Sequence, residues 1–228
     1  MSTEPDALLA ALQLSDSALP IGRFAHSHGL ESLLELDPQL DEAGLAEVVE
    51  TALLESACPL DGAAVAVAHR AGTTGELTAL DAEVTARKLT PGAREASRSC
   101  GRRLAALAPA LGTTEPATAF AALVRREGSD GNLPIVAGAV AASLGLSVED
   151  AVLVELRGFG AGLLSAAVRL GRLSALRAQV LQRRLAPRLE EAAAAAVRME
   201  LRDAHSSAVE LELASLLHAR RGPRLFAT

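Results

Sequence analysis

The sequence predicts an all-α protein, a single compact bundle of about ten helices, and three observations carry that expectation. Half of the 228 residues are hydrophobic, yet aromatics make up only 2%, with no Trp and no Tyr. A core must then be assembled from Ala, Leu and Val, and Ala and Leu are the strongest helix formers. Helix start signals recur along the chain as Thr73-x-x-Glu76, Thr90-Pro91, Thr114-Glu115-Pro116 and Ser147-x-x-Asp150. No stretch alternates apolar and polar residues between hairpin turns, and no repeat of fixed period is present.

The spacing of Leu8, Leu9 and Leu12 predicts a first helix over Pro5–Leu14. The stretch from Leu14 to Glu31 then forms a shaped corner rather than more helix. Ser15, Asp16 and Ser17 compete for backbone hydrogen bonds, Pro20 removes a donor, and Gly22 allows a backbone angle that other residues resist. Ser27 is positioned to cap a second helix, with its stripe at Leu30, Leu33 and Leu34, that Asp37-Pro38 stops after Leu36. A third runs from Asp41 to Ala57, with Leu45, Val48, Val49, Ala52 and Leu53 inside and Glu42, Glu47, Glu50 and Glu55 outside. Pro59 is expected to break it, leaving a short helix over Asp61–Arg70.

The capping box at Thr73 opens a helix to about Lys88, Thr90-Pro91 opens one to Ala108, and Thr114-Glu115-Pro116 opens one ending near Arg126. The polar run Glu127-Gly128-Ser129-Asp130-Gly131-Asn132 is the expected hinge. Pro134 opens the next helix, and Ser147 caps a long one to Leu170. From Ser174 to about Arg202 the pattern stays helical, bent or broken near Pro187, and a last helix covers Ser206–Arg220. Gly222-Pro223 prevents its continuation into the tail.

Composition also excludes function classes. A net charge of −6 and a pI of about 5.4 oppose nucleic-acid binding, which needs a basic surface and favours aromatic platforms. The N-terminus is acidic and lacks a basic secretory leader, and the apolar runs Leu133–Val148 and Gly158–Val168 are interrupted or short for a membrane span, so a cytoplasmic protein is expected. Cys58 and Cys100 lack C-x-x-C spacing and are expected to be reduced. Lys88 is the only lysine and no phosphate loop surrounds it, which excludes a Walker-type nucleotide hydrolase. No nucleophile elbow is present, and the acidic residues fall at helical spacing as on a solvated face, so the expectation is that the chain is not an enzyme.

A few residues remain as candidates for function. His26-x-His28 can bring two imidazoles to one nickel or zinc ion on an extended backbone, whereas on a helix they diverge, and no third ligand lies nearby in sequence. Gly158-Phe159-Gly160-Ala161-Gly162 lacks a preceding strand and reads as a close-packing site for another helix backbone, from the same chain or a second copy, rather than a nucleotide loop. Arg94, Arg98 and Arg102 form an i, i+4 row beside Arg87, Lys88 and Arg103. Acidic neighbours can neutralise that row, or it can dock an acidic partner.

Several motifs, in order, resemble one family. Leu12-Gln13-Leu14, Ala18-Leu19-Pro20-Ile21-Gly22 and Gly29-Leu30-Glu31 are similar to the N-terminal signature of the urease accessory protein F (UreF) family, with Phe24-Ala25-His26-Ser27 in place of Phe-Ser-Tyr-Ser. Ala86-Arg87-Lys88-Leu89, Arg94-Glu95-Ala96-Ser97 and Gly101-Arg102-Arg103-Leu104 resemble its central segment. Pro134-Ile135-Val136-Ala137-Gly138, Leu144-Gly145-Leu146 and Ser165 through Gly171 resemble its second half, and His218 with Arg224-Leu225-Phe226 resembles its end. The chain departs from the pattern at Leu133, where the family often has histidine, at Ala219 in place of glutamate, and at Ala227-Thr228 in place of a terminal serine.

The resemblance implies a single UreF-like helical domain over 1–228, dimeric, that assembles with UreD (also called UreH), the GTPase UreG and apo-urease. In that role the chain hydrolyses nothing and holds no cofactor of its own. It bridges UreG to UreD and apo-urease and couples GTP turnover to nickel delivery. The N-terminal segment (about 1–26) and the tail (about 221–228) are then partner-dependent. The resemblance makes Pro20, Gly22 and Phe24 at the front, and His218, Arg224, Leu225 and Phe226 at the back, the partner-facing residues, and His26 and the row Arg94, Arg98 and Arg102 stand beside them as candidate partner-binding residues read from the sequence itself. The competing readings are a nickel-binding chaperone that uses His26 and His28, and a helical scaffold unrelated to urease.

Overall fold

The computed structural model describes residues 5–218 and Phe226, and among them the chain is helical with no strand. The helices are α1 (Pro5–Leu14), α2 (Leu30–Leu36), α3 (Glu42–Ala52), α4 (Ala63–Arg70), α5 (Thr74–Arg87), α6 (Pro91–Leu107), α7 (Ala117–Arg125), α8 (Leu133–Ser143), α9 (Val148–Arg169), α10 (Ala175–Ala196) and α11 (Val209–His218). A π-helical stretch, Leu53–Gly62, joins α3 and α4 into one rod, Glu42–Arg70, so among the described residues ten separate helices pack together. The all-α bundle read from composition and capping is therefore observed.

Local chemistry sets most boundaries. The Thr73 hydroxyl accepts from Glu76 N–H while the Glu76 carboxylate accepts from Thr73 N–H, a complete capping box. Thr90, Ser147 and Ser174 cap α6, α9 and α10 in the same way through Ala93, Asp150 and Arg177 amides. Two starts differ from expectation. α2 begins at Leu30 with Gly29 as its cap at φ +91°, because Ser27 sits in the turn before it. Pro116 occupies the cap of α7 rather than its first turn, and the Glu115 carboxylate accepts from Ala119 N–H.

The interior divides into two apolar clusters that share the rod. One gathers Leu30, Leu45, Val49, Leu156, Leu163, Leu181 and Leu189 from α2, α3, α9 and α10. The other gathers Leu77, Val84, Leu104, Phe120, Val124 and Ile135 from α5 to α8. α4 lies between α8 and α9, and a Cβ on Gly138 of α8 would stand 2.5 Å from the Val65 carbonyl of α4, so only glycine lets those two backbones approach so closely. The rod and α9 are long and apolar enough to cross a membrane, but 67% and 61% of their apolar windows are buried inside the protein. Their apolar surface is spent on the core.

Three expectations are corrected. Pro59 does not end its helix: it sits inside the π-helical stretch. The Glu55 carbonyl, which an amide at position 59 would engage in an α-helix and a proline cannot, accepts from Ser207 N–H at 2.7 Å. Pro187, where a bend or break is expected, lies inside α10, which runs on past it without a break. Second, the polar run 127–132 is pinned rather than hinged. The fully buried Asp81 carboxylate accepts from Ser129 Oγ at 2.5 Å, Gly131 N–H and Asn132 N–H at 2.7 Å each, and Asn132 Nδ2 at 2.8 Å. Third, among the described residues no helix backbone of this chain fills the notch at Gly158: the Arg23 guanidinium does, 2.7 Å from where a Cβ would stand, while a Cβ on Gly162 would meet nothing within 4 Å.

Candidate functional site

The N-terminal corner folds inward. Gly22 at φ +80° turns the chain into a single 3-10 turn, Arg23–Ala25, beside the middle of α9. Arg23 there forms a two-pronged ion pair with Glu155, Nη2 to Oε2 at 2.7 Å and Nη1 to Oε1 at 3.1 Å, with side chains 12% and 6% exposed. A second enclosed pair, Lys88 Nζ to Asp61 Oδ1 at 2.6 Å, joins the end of α5 to the π-helical stretch.

These two pairs border a cavity of about 100 Å³ that His26, His28, Cys100, Phe159 and Thr90 also line. The His28 ring lies 4.8 Å from that of Phe159 and 6.2 Å from that of His26. Burial, aided by the positive charges of His26, Lys88 and Arg23, pushes His28 down to about 3, so its imidazole is neutral near pH 7. Burial, then Arg103, also lowers His26, against the pull of Glu95. Burial lifts the Cys100 thiol to about 11 and makes it a poor nucleophile while enclosed. Among the described residues no three His, Cys, Asp or Glu side chains gather as a metal site.

One side of the cavity is closed by α11, through Leu211, Glu212 and Ser215, and by Ala208 just before it. Gly29 permits its approach, since a Cβ there would stand 3.0 Å from the Ser215 amide. Beyond α11, Phe226 is buried with its ring under the Arg169 guanidinium, 3.9 Å from centroid to Cζ. Arg169 also donates to the Phe24 carbonyl, so one side chain ties Phe226 to the corner.

The residues singled out from sequence are thus partly brought together. Pro20 is exposed, Gly22 and Phe24 are half-buried, and His26 is buried. Arg94 donates from Nε to the Lys88 carbonyl at 2.8 Å, Arg98 pairs with Asp130 at 3.0 Å, and Arg102 donates to the Asp130 carbonyl at 3.2 Å. Arg98 and Arg102 therefore grip the pinned loop while Arg94 bonds the end of α5, and Arg102 and Arg103 stay exposed. His218 ends α11, and its side chain, with Arg224 and Leu225, lies outside the described residues. Sequence reading did not nominate Arg23, Glu155, Asp61 or Cys100, whose partners are distant in the chain. The one available signal was a lone Glu155 within the apolar stretch of α9.

Comparison with known proteins fits this framework. The UreF family model matches residues 40–186, over half of the chain. A urease accessory protein UreF from Trichodesmium erythraeum is 29% identical over 226 residues, with 96% of each chain covered. A UreF from Cereibacter sphaeroides is 33% identical over 222 residues, covering 97% of this chain and 99% of the relative. The protein named UreF 2 from Brucella canis is 31% identical, with 96% and 91% covered. From the ordered motifs, the all-helical fold and this end-to-end similarity, the chain belongs to the UreF family of urease accessory proteins.

Proposed function

We propose that this chain is a non-enzymatic, cytoplasmic adaptor of urease maturation that bridges the GTPase UreG to UreD and apo-urease and couples GTP hydrolysis to nickel insertion. It works as a homodimer, and nickel is its complex's cargo rather than its own cofactor. The observation that carries this reading, beside family membership, is the apolar surface left at both ends of the chain. Leu8, Leu9 and Leu12 on α1 and Val209, Leu213 and Leu216 on α11 are all exposed. Large side chains clustered this way on terminal helices mark surfaces that another chain covers.

Co-expression with UreD, UreG and apo-urease, followed by size exclusion, tests it. Leu9→Glu with Leu12→Glu, or deletion of 224–228, is expected to leave helical content intact and abolish co-elution. Retained complexes in both variants would contradict the adaptor surfaces. Calorimetric titration of the isolated protein with nickel is expected to show no micromolar site that His26→Ala and His28→Ala remove, which separates the adaptor from a nickel-carrying chaperone.

A further inference from the structure

We infer that the packed pair α6 and α7 presents a basic face, through Arg102, Arg103, Arg125 and Arg126, that docks an acidic segment of a partner protein. The sequence concentrates the charge there. From Ala96 to Thr114 and from Pro116 to Arg126 the chain carries five arginines and neither Asp nor Glu, although its net charge is −6. α6 and α7 pack on each other, which brings the two stretches together. Gly131 of the pinned loop lies where they meet: a Cβ there would crowd both Val124, which precedes Arg125, and Cγ of Arg102, the latter at 3.3 Å.

Nearby carboxylates do not neutralise this charge. Asp81 is buried beneath the amides of Gly131 and Asn132. Asp130 binds Arg98 with one carboxylate oxygen at 3.0 Å and the Thr85 hydroxyl with the other at 2.7 Å, so Arg102 is left with its backbone carbonyl. Arg103 likewise donates to a carbonyl, that of Ile21, at 3.5 Å. All four arginines of the face are exposed, and among the described residues none of them forms an ion pair. Like charges held this way repel one another mildly, and an acidic partner relieves that repulsion. The face shares no helix with the apolar surfaces of α1 and α11.

The chemistry favours a protein segment over a nucleic acid. Phe120 is the one aromatic residue on either helix and is buried, so no ring is offered for base stacking. The acid excess of the chain lies outside these stretches, so an extended polyanion would run from the arginines onto like charge. A short run of Asp and Glu stays on the face, and beyond a screening length of about 8 Å it no longer feels the acidic surface.

Fluorescence anisotropy of a labelled Glu/Asp-rich decapeptide, titrated with the full chain at physiological salt, tests the face. Saturable binding is expected. Arg102→Gln with Arg103→Gln on α6, and separately Arg125→Gln with Arg126→Gln on α7, are each expected to weaken it on the order of fivefold or more with far-UV dichroism unchanged. Each pair stands as the test if the other fails to fold. Arg183→Gln with Arg184→Gln, two exposed arginines of α10, is expected to stay within about twofold of the parent. No binding up to about 1 mM, equal loss in the α10 variant, binding unchanged by either pair, or tighter binding of a single-stranded oligonucleotide of matching charge would overturn the inference.

Discussion

Arg23 and Glu155 stand 132 positions apart in sequence and meet in a two-pronged ion pair that fixes the corner against α9. Because both side chains are nearly sealed from water, each charge depends on the other for solvation. Glu155→Ala is expected to lower stability by about 3–5 kcal/mol by stranding the guanidinium. The double variant Arg23→Met with Glu155→Leu is expected to be more stable than either single truncation. Urea unfolding of the parent, Glu155→Ala, Arg23→Met, Glu155→Leu and the double variant checks this, and simple additivity of Arg23→Met and Glu155→Leu would count against the pair.

The buried Asp81 carboxylate organises residues 129–132 through four hydrogen bonds. Asp81→Ala strands those donors and is expected to cost about 3 kcal/mol or more. It should also free the loop. Trypsin is expected to cut the variant after Arg125 or Arg126 under conditions where the parent stays intact, and equal resistance would show that the carboxylate is not what holds the loop.

Stability should depend on acid through His28. Its folded value lies near 3 against an ordinary value of 6.5, so the unfolded chain binds the proton more readily. The contribution is complete above pH 6.5 and is lost as pH falls from there toward 3. At its steepest the slope is about 1.4 kcal/mol per pH unit for one group. His28→Asn keeps a residue that tolerates the observed φ of +51° and removes the proton site. Chemical denaturation from pH 7 to 4 should therefore show a shallower loss of stability in the variant, with the residual slope owed in part to His26, which shifts in the same direction.

Two glycines should respond in opposite ways to alanine. Gly138→Ala drives a Cβ to 2.5 Å from the Val65 carbonyl, and neither backbone can yield cheaply, so a loss of about 1–3 kcal/mol is expected. Gly162→Ala, inside α9 with open space around it, is expected to gain about 0.5–1 kcal/mol from reduced backbone entropy in the unfolded chain. Thermal unfolding of both variants reads the sign directly.

What was legible in the sequence was local. Thr73, Thr90, Ser147 and Ser174 cap the helices they precede because the amides they satisfy lie three residues on. What misled was non-local. The run 127–132 looks mobile because its anchor, Asp81, lies 48 residues before Ser129. Gly158 looks like a helix-crossing notch because Arg23, which fills it, arrives from the other end of the chain. Pro59 looks like a stop because its penalty is computed for an α-helix, whereas the wider π turn and Ser207 absorb it. The cavity was invisible for the same reason: its walls come from the corner, the π-helical stretch, α6, α8, α9 and α11 at once.

The π-helical stretch has a mechanical consequence. Each α-helical residue advances the side-chain direction by about 100°, and the wider π turn advances it by less, so α4 leaves the stretch out of phase with α3. Leu45, Val49 and Ala52 can then serve one apolar cluster while α4 faces both, Val65 and Ala66 toward that cluster and Ala63, Ala64 and Ala68, with Leu60, toward the other. The Glu42–Arg70 rod behaves as a crankshaft whose two throws point in different directions. Removing one residue from Leu53–Gly62 would swing every side chain of one throw out of its seat, uncoupling the two halves of the protein at a single stroke.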